Sequence, residues 1–361
     1  MVRKNHIPLT GIFALCVPFA TGHQQHAPQK QKVARPSSYK KLVAMTKFDP
    51  ETHCYYVEKA RSILKRGQTI DSYVKQKVAK QRQKMNAIFT AHGLTADEIN
   101  QIWCEHRLIL TTHQHAEADA DGKGMPTEFN TQVKKQLQRR SLNPKHVRLK
   151  LNMQLDDAQA KTRLLDNEQQ IVEKLELNPK KLQLYPRECQ EAILNHEAAH
   201  LSQHDMLLRI LLDAFDSEGK MSIPRQCRNA MCRAQEQYAD YLAADTLESA
   251  RNLRALTAAW YRKYGPGDFF SEHSEHPSPY QRFCKVNKIV LLHEAAHYIQ
   301  TGHMPAQPPF PHYKLCARDR WRRNENKVIG VVATLSGIGL CAYFSHAGGL
   351  WGKSTTLPTH H

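Results

Sequence analysis

The chain has 361 residues, of which 41% are apolar and 24% are charged, so it can bury a sizeable core and cannot be disordered throughout. Lys and Arg total 51 against 34 Asp and Glu, a formal charge of +17, which makes nucleic acid and an anionic membrane surface candidate partners. No basic segment carries interleaved aromatic residues, so nucleic acid is the weaker candidate. The nine Cys residues show no repeated close spacing, which excludes a dense disulfide scaffold and a cysteine-only zinc ribbon.

The first 22 residues have the pattern of an export signal. Arg3 and Lys4 precede an apolar stretch that ends in small residues at positions 20 and 22, as in a signal peptide, and an uncleaved N-terminal membrane anchor is the alternative. Residues 23–45 are rich in Gln, Lys, Pro and Ser and predict a solvated linker.

Residues 46–180 are predicted to form a helical N-terminal region. Apolar residues that include Ile63, Ile70 and Val74 recur there at helical intervals, and Gly67 interrupts the pattern. No strong alternation typical of strands is visible in this region. The fold class expected from the sequence is therefore mainly α.

A short acidic segment in this region nearly fits a calcium-binding loop. Glu117, Asp119 and Asp121 alternate before Gly122, and Glu128 follows where a bidentate ligand would stand. The first position is Glu where the pattern needs Asp, so a plain polar loop is the favoured interpretation and calcium binding stays open.

The pentapeptide His196-Glu-Ala-Ala-His200 is the most informative stretch of the sequence. A string of the form HExxH is expected by chance only about 0.06 times in a chain of this length and composition. Its flanks are apolar, with Pro186 as a start signal and no breaker before Gly219. Two His residues four apart project from one side of a helix and could bind one ion, while Glu197 lies beside that ion and could take a proton from water.

A catalytic zinc site needs a third protein ligand. The segment Glu236-Gln-Tyr-Ala-Asp240 offers one, within residues 225–264 that are predicted to form a second long helix. Glu236 could complete the metal site, and Asp240, one turn further on, could accept the free ring N–H of a ligating His and hold its orientation. An ordinary acidic helix face is the alternative interpretation.

These motifs, in this order, resemble the zinc metallopeptidase family that includes the bacterial heat-shock protease HtpX and the CAAX prenyl protease. The resemblance is carried by HEAAH, by the ExxAD pattern at Glu236, and by His276-Pro277 with Arg282 after it. It implies a mostly helical, zincin-like (gluzincin) metallopeptidase core, here over residues 181–312.

The resemblance also implies residue roles. One Zn²⁺ would be held by two His residues and one Glu, the motif Glu would act as general base, and the HP segment would lie near the cleft, with the following Arg orienting that loop or the substrate. On this sequence those residues are the ligands His196, His200 and Glu236, the base Glu197, and the cleft residues His276 and Arg282.

The same pentapeptide occurs a second time, at His293-Glu294-Ala-Ala-His297. No ExxxD segment follows it, and His303 is a candidate third ligand. Gln300 stands where the metzincin pattern HExxHxxGxxH needs Gly. His293, Glu294, His297 and His303 are therefore an alternative metal site or a degenerate repeat of the first helix.

Residues 313–361 combine a basic segment with an apolar stretch at 328–344. The stretch is slightly shorter than the roughly 20 residues that span a bilayer, so a C-terminal membrane helix and a buried core helix are both open. Its basic flank should stay cytoplasmic, which conflicts with an export signal. We expect an exported, periplasmic or membrane-associated protein, with a cytoplasmic location as the alternative.

The function expected from these features is that of a zinc-dependent metalloendopeptidase. It would hydrolyse peptide bonds of protein or peptide substrates with a metal-activated water, and envelope protein quality control is a candidate role. The alternative is a non-catalytic, zinc-stabilised helical adaptor or chaperone-like module. The intact Glu197 favours the enzyme, because a structural zinc site does not need a base beside an open coordination position.

Overall fold

The computed structural model describes residues 38–117, 122, 124–165, 169–265, 274–306, 309–311, 313, 315 and 319, all within the unit Pro36–His361. The prediction of a mainly α protein is confirmed for these residues, which also form four short strands. The helices are α1 (Tyr39–Ala44), α2 (Cys54–Lys65), α3 (Ile70–Ala79), α4 (Gln81–Ala91), α5 (Ala96–Thr112), α6 (Thr127–Arg139), α7 (Pro179–Leu182), α8 (Arg187–Ser202), α9 (Asp205–Ser217), α10 (Arg225–Ala243), α11 (Leu247–Tyr264) and α12 (Pro279–Thr301). The strands are β1 (Gln114–His115), β2 (Val147–Leu151), β3 (Ala158–Leu165) and β4 (Gln170–Leu177).

The first helices follow the predicted apolar pattern. Ile63 on α2 and Ile70 and Val74 on α3 are buried in the main apolar cluster. Gly67 separates the two helices with a positive φ of 69°, a conformation that residues with a Cβ rarely adopt. The same cluster contains Leu194 of α8, so it joins the two regions that the sequence divides at residue 180.

The small sheet is a feature that the sequence analysis missed. Strand β4 pairs in parallel with β1 and β2, and antiparallel with β3, in the register Ala158↔Leu177 to Leu165↔Gln170. Strand β2 does alternate, with Val147 and Leu149 buried, but over only five residues. Strand β4 buries Glu173 and Glu176 among its apolar residues. Because these two charged residues are buried, the sequence of β4 does not show the apolar run typical of a buried strand. The helical interpretation of residues 46–180 therefore does not hold for β2, β3 and β4.

Helix α8 occupies the centre of the fold. It begins at Arg187, directly after the predicted start signal Pro186, and it contacts α6, α10, α11 and β3. Successive residues Ala192, Ile193 and Leu194 are all buried, so the middle of the helix is covered on more than one side. Within HEAAH every residue except Glu197 is buried.

Two helix boundaries differ from the sequence interpretation. The chain leaves α8 at Ser202 and turns through His204, which has the left-handed angles φ 52° and ψ 35°, before α9 begins. The predicted long helix over residues 225–264 is two helices, because Thr246 caps α11 by accepting a hydrogen bond from the Ser249 amide. Both breaks come from residues that turn the chain without Gly or Pro, the signals on which the prediction relied.

No helix within the described ranges is long and apolar enough to cross a membrane. Several predicted segments lie outside those ranges: residues 1–22, the linker up to residue 37, the basic flank and apolar stretch including 328–344, and Asp119 and Asp121 of the candidate calcium loop.

Candidate metal centre

Three buried side chains from two helices converge on one point. His196 and His200 lie on α8 and Glu236 lies on α10, each at most 4% exposed. The Nε2 atoms of the two imidazoles are 3.2 Å apart. Glu236 places Oε2 3.2 Å from His196 Nε2 and Oε1 3.3 Å from His200 Nε2. Among the described residues this is the one group of His, Cys, Asp or Glu side chains already close enough to hold a metal ion.

The ring of His196 is oriented by Asp240, one turn after Glu236 on α10. Asp240 Oδ1 lies 3.1 Å from His196 Nδ1, so the carboxylate can accept the Nδ1 proton and leave Nε2 facing the centre. Arg282 of α12 donates to both oxygens of Asp240, at 2.9 and 2.6 Å, and its Nη1 lies 3.3 Å from Glu236 Oε2. Arg282 therefore contacts both Asp240 and Glu236, and the expectation that it orients the HP loop or the substrate stays a prediction.

The ring of His200 is oriented by Asp205, a residue that the sequence analysis missed. Asp205 Oδ2 lies 2.8 Å from His200 Nδ1, and Asp205 Oδ1 accepts a hydrogen bond from Gln81 of α4 at 3.1 Å. Asp205 reaches this position because the chain reverses through the left-handed His204. Each imidazole thus has its own carboxylate behind it, which fixes the tautomer and raises the basicity of the opposite nitrogen. The sequence signal for this role is an Asp five residues after the second His of the motif.

The charges of the centre are strongly coupled. Burial alone would lower the pKa of His200, but the carboxylates of Glu236 and Asp205 outweigh it and raise that pKa to about 10. Burial would raise the pKa of Glu236, yet the charge of His200 and hydrogen bonds from His196, His200 and His276 hold it well below its usual range. A divalent cation would take the place of protons here, because an imidazole binds metal only in its neutral form.

The ligand set fits zinc in chemistry and spacing. Two imidazoles and one carboxylate are the protein ligands of many catalytic zinc sites, and three atoms held at about 2.0–2.1 Å in tetrahedral geometry lie about 3.3 Å from one another. The two Nε2 atoms are 3.2 Å apart. Each lies near a different oxygen of Glu236, His196 at 3.2 Å from Oε2 and His200 at 3.3 Å from Oε1, and these separations are of the size that such a site requires. The identity of the metal is not fixed by this geometry, since other first-row divalent ions accept the same ligands.

The centre opens into a cleft of about 650 Å³. The cleft is lined by the start of β3, by Glu197 and by the segment Ser274–Pro279, which includes His276. Glu197 lies one residue beyond His196, is partly exposed, and accepts a hydrogen bond from the Ala160 amide of β3 at 2.6 Å. A carboxylate therefore stands beside the candidate metal position without occupying it.

His276 is the exposed member of the site. Its side chain is 64% exposed, and its Nδ1 lies 3.3 Å from Glu236 Oε1. The structure therefore places His276 at the cleft, against the third candidate ligand. Arg209 of α9 also approaches this carboxylate, with Nη2 3.8 Å from Glu236 Oε1, and it lines the same cleft.

The second HEAAH has different surroundings. Glu294 is 0% exposed and pairs with Arg251, whose Nη2 lies 3.0 Å from Glu294 Oε1, while Arg254 Nη2 lies 3.8 Å away. His293 is also buried, and its Nδ1 lies 3.6 Å from Asp71 Oδ1. His303 is exposed. The described residues do not bring His293, Glu294, His297 and His303 together as a metal-binding group.

Comparison with known proteins identifies no relative of this chain. No family model, no curated protein and no solved structure matches the chain. The resemblance to the HtpX and CAAX prenyl protease family therefore rests on the motifs of this sequence alone.

Asp205→Ala is expected to weaken zinc binding by about 10–100-fold, because removal of the partner of a ligating His typically costs that much affinity. The measurement is a competition titration of the full chain against a zinc-chelating dye. Asp213→Ala, which removes an exposed carboxylate from the same helix, is the control and should leave the affinity unchanged. Equal affinity of the Asp205 variant and the parent would show that the contact with His200 does not support metal binding.

Glu294→Gln is expected to leave the zinc content unchanged and to lower the free energy of unfolding by about 3–5 kcal/mol, the usual cost of breaking a buried ion pair. Urea unfolding and elemental analysis measure the two quantities. Glu191→Gln removes a half-buried partner of the exposed Arg187 and should cost at most about 1 kcal/mol. Zinc lost in His297→Ala and kept in His200→Ala would instead identify the second HEAAH as the metal site.

Proposed function

We propose that the chain is a zinc-dependent metalloendopeptidase, related in mechanism to the family that its motifs resemble. The observation that supports this most strongly is the position of Glu197, a partly exposed carboxylate next to a buried His-His-Glu triangle, at the wall of an open cleft. A purely structural metal site is closed by four protein ligands and has no base beside it.

When bound at this centre, zinc would polarise a peptide carbonyl and make water acidic enough to attack near neutral pH. Glu197 acts as general base and then general acid: it removes the proton from the attacking water and passes it to the leaving amine. The Ala160 amide holds Glu197 Oε2, which fixes the carboxylate and leaves Oε1 for the proton. Peptide hydrolysis then proceeds without a covalent acyl-enzyme.

The substrate would bind along the outer edge of β3. Strand β3 pairs with β4 on one side only, and no other strand covers it within the described part of the chain. The Ala160 amide points to the cleft rather than to β4, as its bond to Glu197 shows. An extended peptide could add to this edge through main-chain hydrogen bonds, which would place its backbone beside Glu197. This mode suits cleavage within a chain, because it reads backbone and not a terminus.

His276 is suited to assist at the reacting carbonyl. It is exposed at the cleft and contacts Glu236, so an N–H of its imidazole can reach the negative charge that develops on the carbonyl oxygen. Preorganised donors of this kind commonly provide a large part of transition-state stabilisation. Arg282 is buried at the same cleft and supports the positions of Glu236 and Asp240.

Glu197→Gln is expected to keep zinc bound and the fold intact, because Gln retains an oxygen for the Ala160 amide, and to lower casein hydrolysis by at least about 10²-fold through loss of the base. Glu188→Gln, an exposed change on the same helix, is the control and should retain full activity. Proteolysis by the parent should also stop on chelation of zinc with o-phenanthroline.

Two results would contradict the proposed function. One is casein cleavage by the Glu197 variant at the rate of the parent, which would remove the base from the mechanism. The other is a zinc-loaded parent that cleaves no peptide and loses only thermal stability on chelation, which would identify the zinc-stabilised adaptor instead.

A further inference from the structure

A second group of metal-ligating side chains lies around Glu173 of β4. Glu173 is 1% exposed. Its Oε1 is 3.4 Å from His204 Nδ1, and its Oε2 is 4.0 Å from His115 Nδ1. The rings of His115 and His204 have their centroids 5.9 Å apart, so the three side chains surround one small space. They come from β1, β4 and the turn between α8 and α9, distant segments that only the fold brings together.

Two atoms of this group are buried without a hydrogen bond. Glu173 Oε1 and His115 Nδ1 make none, and their contacts at 3.4 and 4.0 Å are ion-pair distances only. Burial of a charged oxygen without a hydrogen bond is costly and is rare in native proteins. A divalent cation between these atoms would satisfy both of them and balance the carboxylate.

We propose that His115, Glu173 and His204 bind a second divalent transition-metal ion, with Zn²⁺ as the expected occupant. Two imidazole nitrogens and one carboxylate oxygen are a ligand set that zinc accepts, with solvent completing the coordination. The side chains stand further apart than at the candidate metal centre, where the ring centroids are 4.7 Å apart. The side chains of His115 and His204 are 30% and 25% exposed, so solvent can reach the space between them.

The position of His204 gives this ion a structural role. His204 holds the left-handed turn that ends α8, a conformation that a residue with a Cβ adopts only where its surroundings impose it. The next residue, Asp205, orients His200 at the candidate metal centre. An ion bound to His204 would fix this turn and thereby the position of Asp205. The existence of the second site does not depend on peptidase activity.

The test is the zinc content of the purified full chain, measured by elemental analysis after equilibration with a small excess of zinc and removal of free metal. The parent is expected to hold two zinc ions per chain. His204→Ala and Glu173→Gln are each expected to hold one, as is His200→Ala, and the combination of His204→Ala with His200→Ala none. Far-ultraviolet circular dichroism of each variant establishes that it is folded.

Two matched controls isolate the proposed ligands. Glu176→Gln changes a carboxylate on the same strand that pairs with lysines, and His303→Ala removes an exposed imidazole; both should keep two ions. A parent with one ion, lost in His200→Ala and kept in His204→Ala and Glu173→Gln, would overturn this inference and leave the proposed function standing. A parent with one ion that is lost in His204→Ala and kept in His200→Ala would support this inference and contradict the proposed function.

Should a single substitution unfold the protein, cobalt provides an independent measurement on the parent. Co²⁺ substituted into folded parent protein should titrate to two equivalents, with two absorption spectra that develop separately. Saturation at one equivalent in the parent, with no Co²⁺ bound by folded His200→Ala, would overturn the second site.

Discussion

Glu236 carries a carboxylate into the centre of the protein, where it contacts His196, His200 and Arg282. Burial of such a charge is unfavourable unless cations or hydrogen-bond donors surround it. The arrangement of α8, α10 and α12 follows from this requirement, because each of the three helices supplies a group to the cluster. Asp240 and Asp205 add to this cluster, because each contacts the Nδ1 atom of one imidazole, His196 and His200 respectively. The cluster is therefore both the site of the proposed chemistry and a constraint on how the core helices pack.

The two copies of HEAAH show that the role of a motif depends on the residues that the fold packs against it. The first copy faces carboxylates on α10, and its Glu197 reaches the cleft. The second copy faces arginines on α11, and its Glu294 is fully buried by them. The same five residues are thus suited to metal binding in one helix and to helix packing in the other. What separates them in the sequence is the acidic pair Glu236 and Asp240, which follows only the first copy.

Much of the candidate site could be predicted from sequence, because helical spacing fixes which residues share a face. The interval of four places His196 beside His200, and one turn separates Glu236 from Asp240. The role of Asp205 could not be predicted, since it depends on the left-handed turn at His204. The sheet was missed because β2 alternates over only five residues and β4 buries charged residues such as Glu173. The burial of Glu173 is explained by its contacts with His115 and His204, which lie far from it in the sequence.

Anomalous diffraction at the zinc absorption edge, from crystals of the full chain grown with zinc, tests the central claim most directly. The account predicts a peak about 2.0–2.1 Å from Nε2 of His196, Nε2 of His200 and a carboxylate oxygen of Glu236. It would be contradicted by a map in which these three atoms bind no metal while zinc lies at His293 and His297.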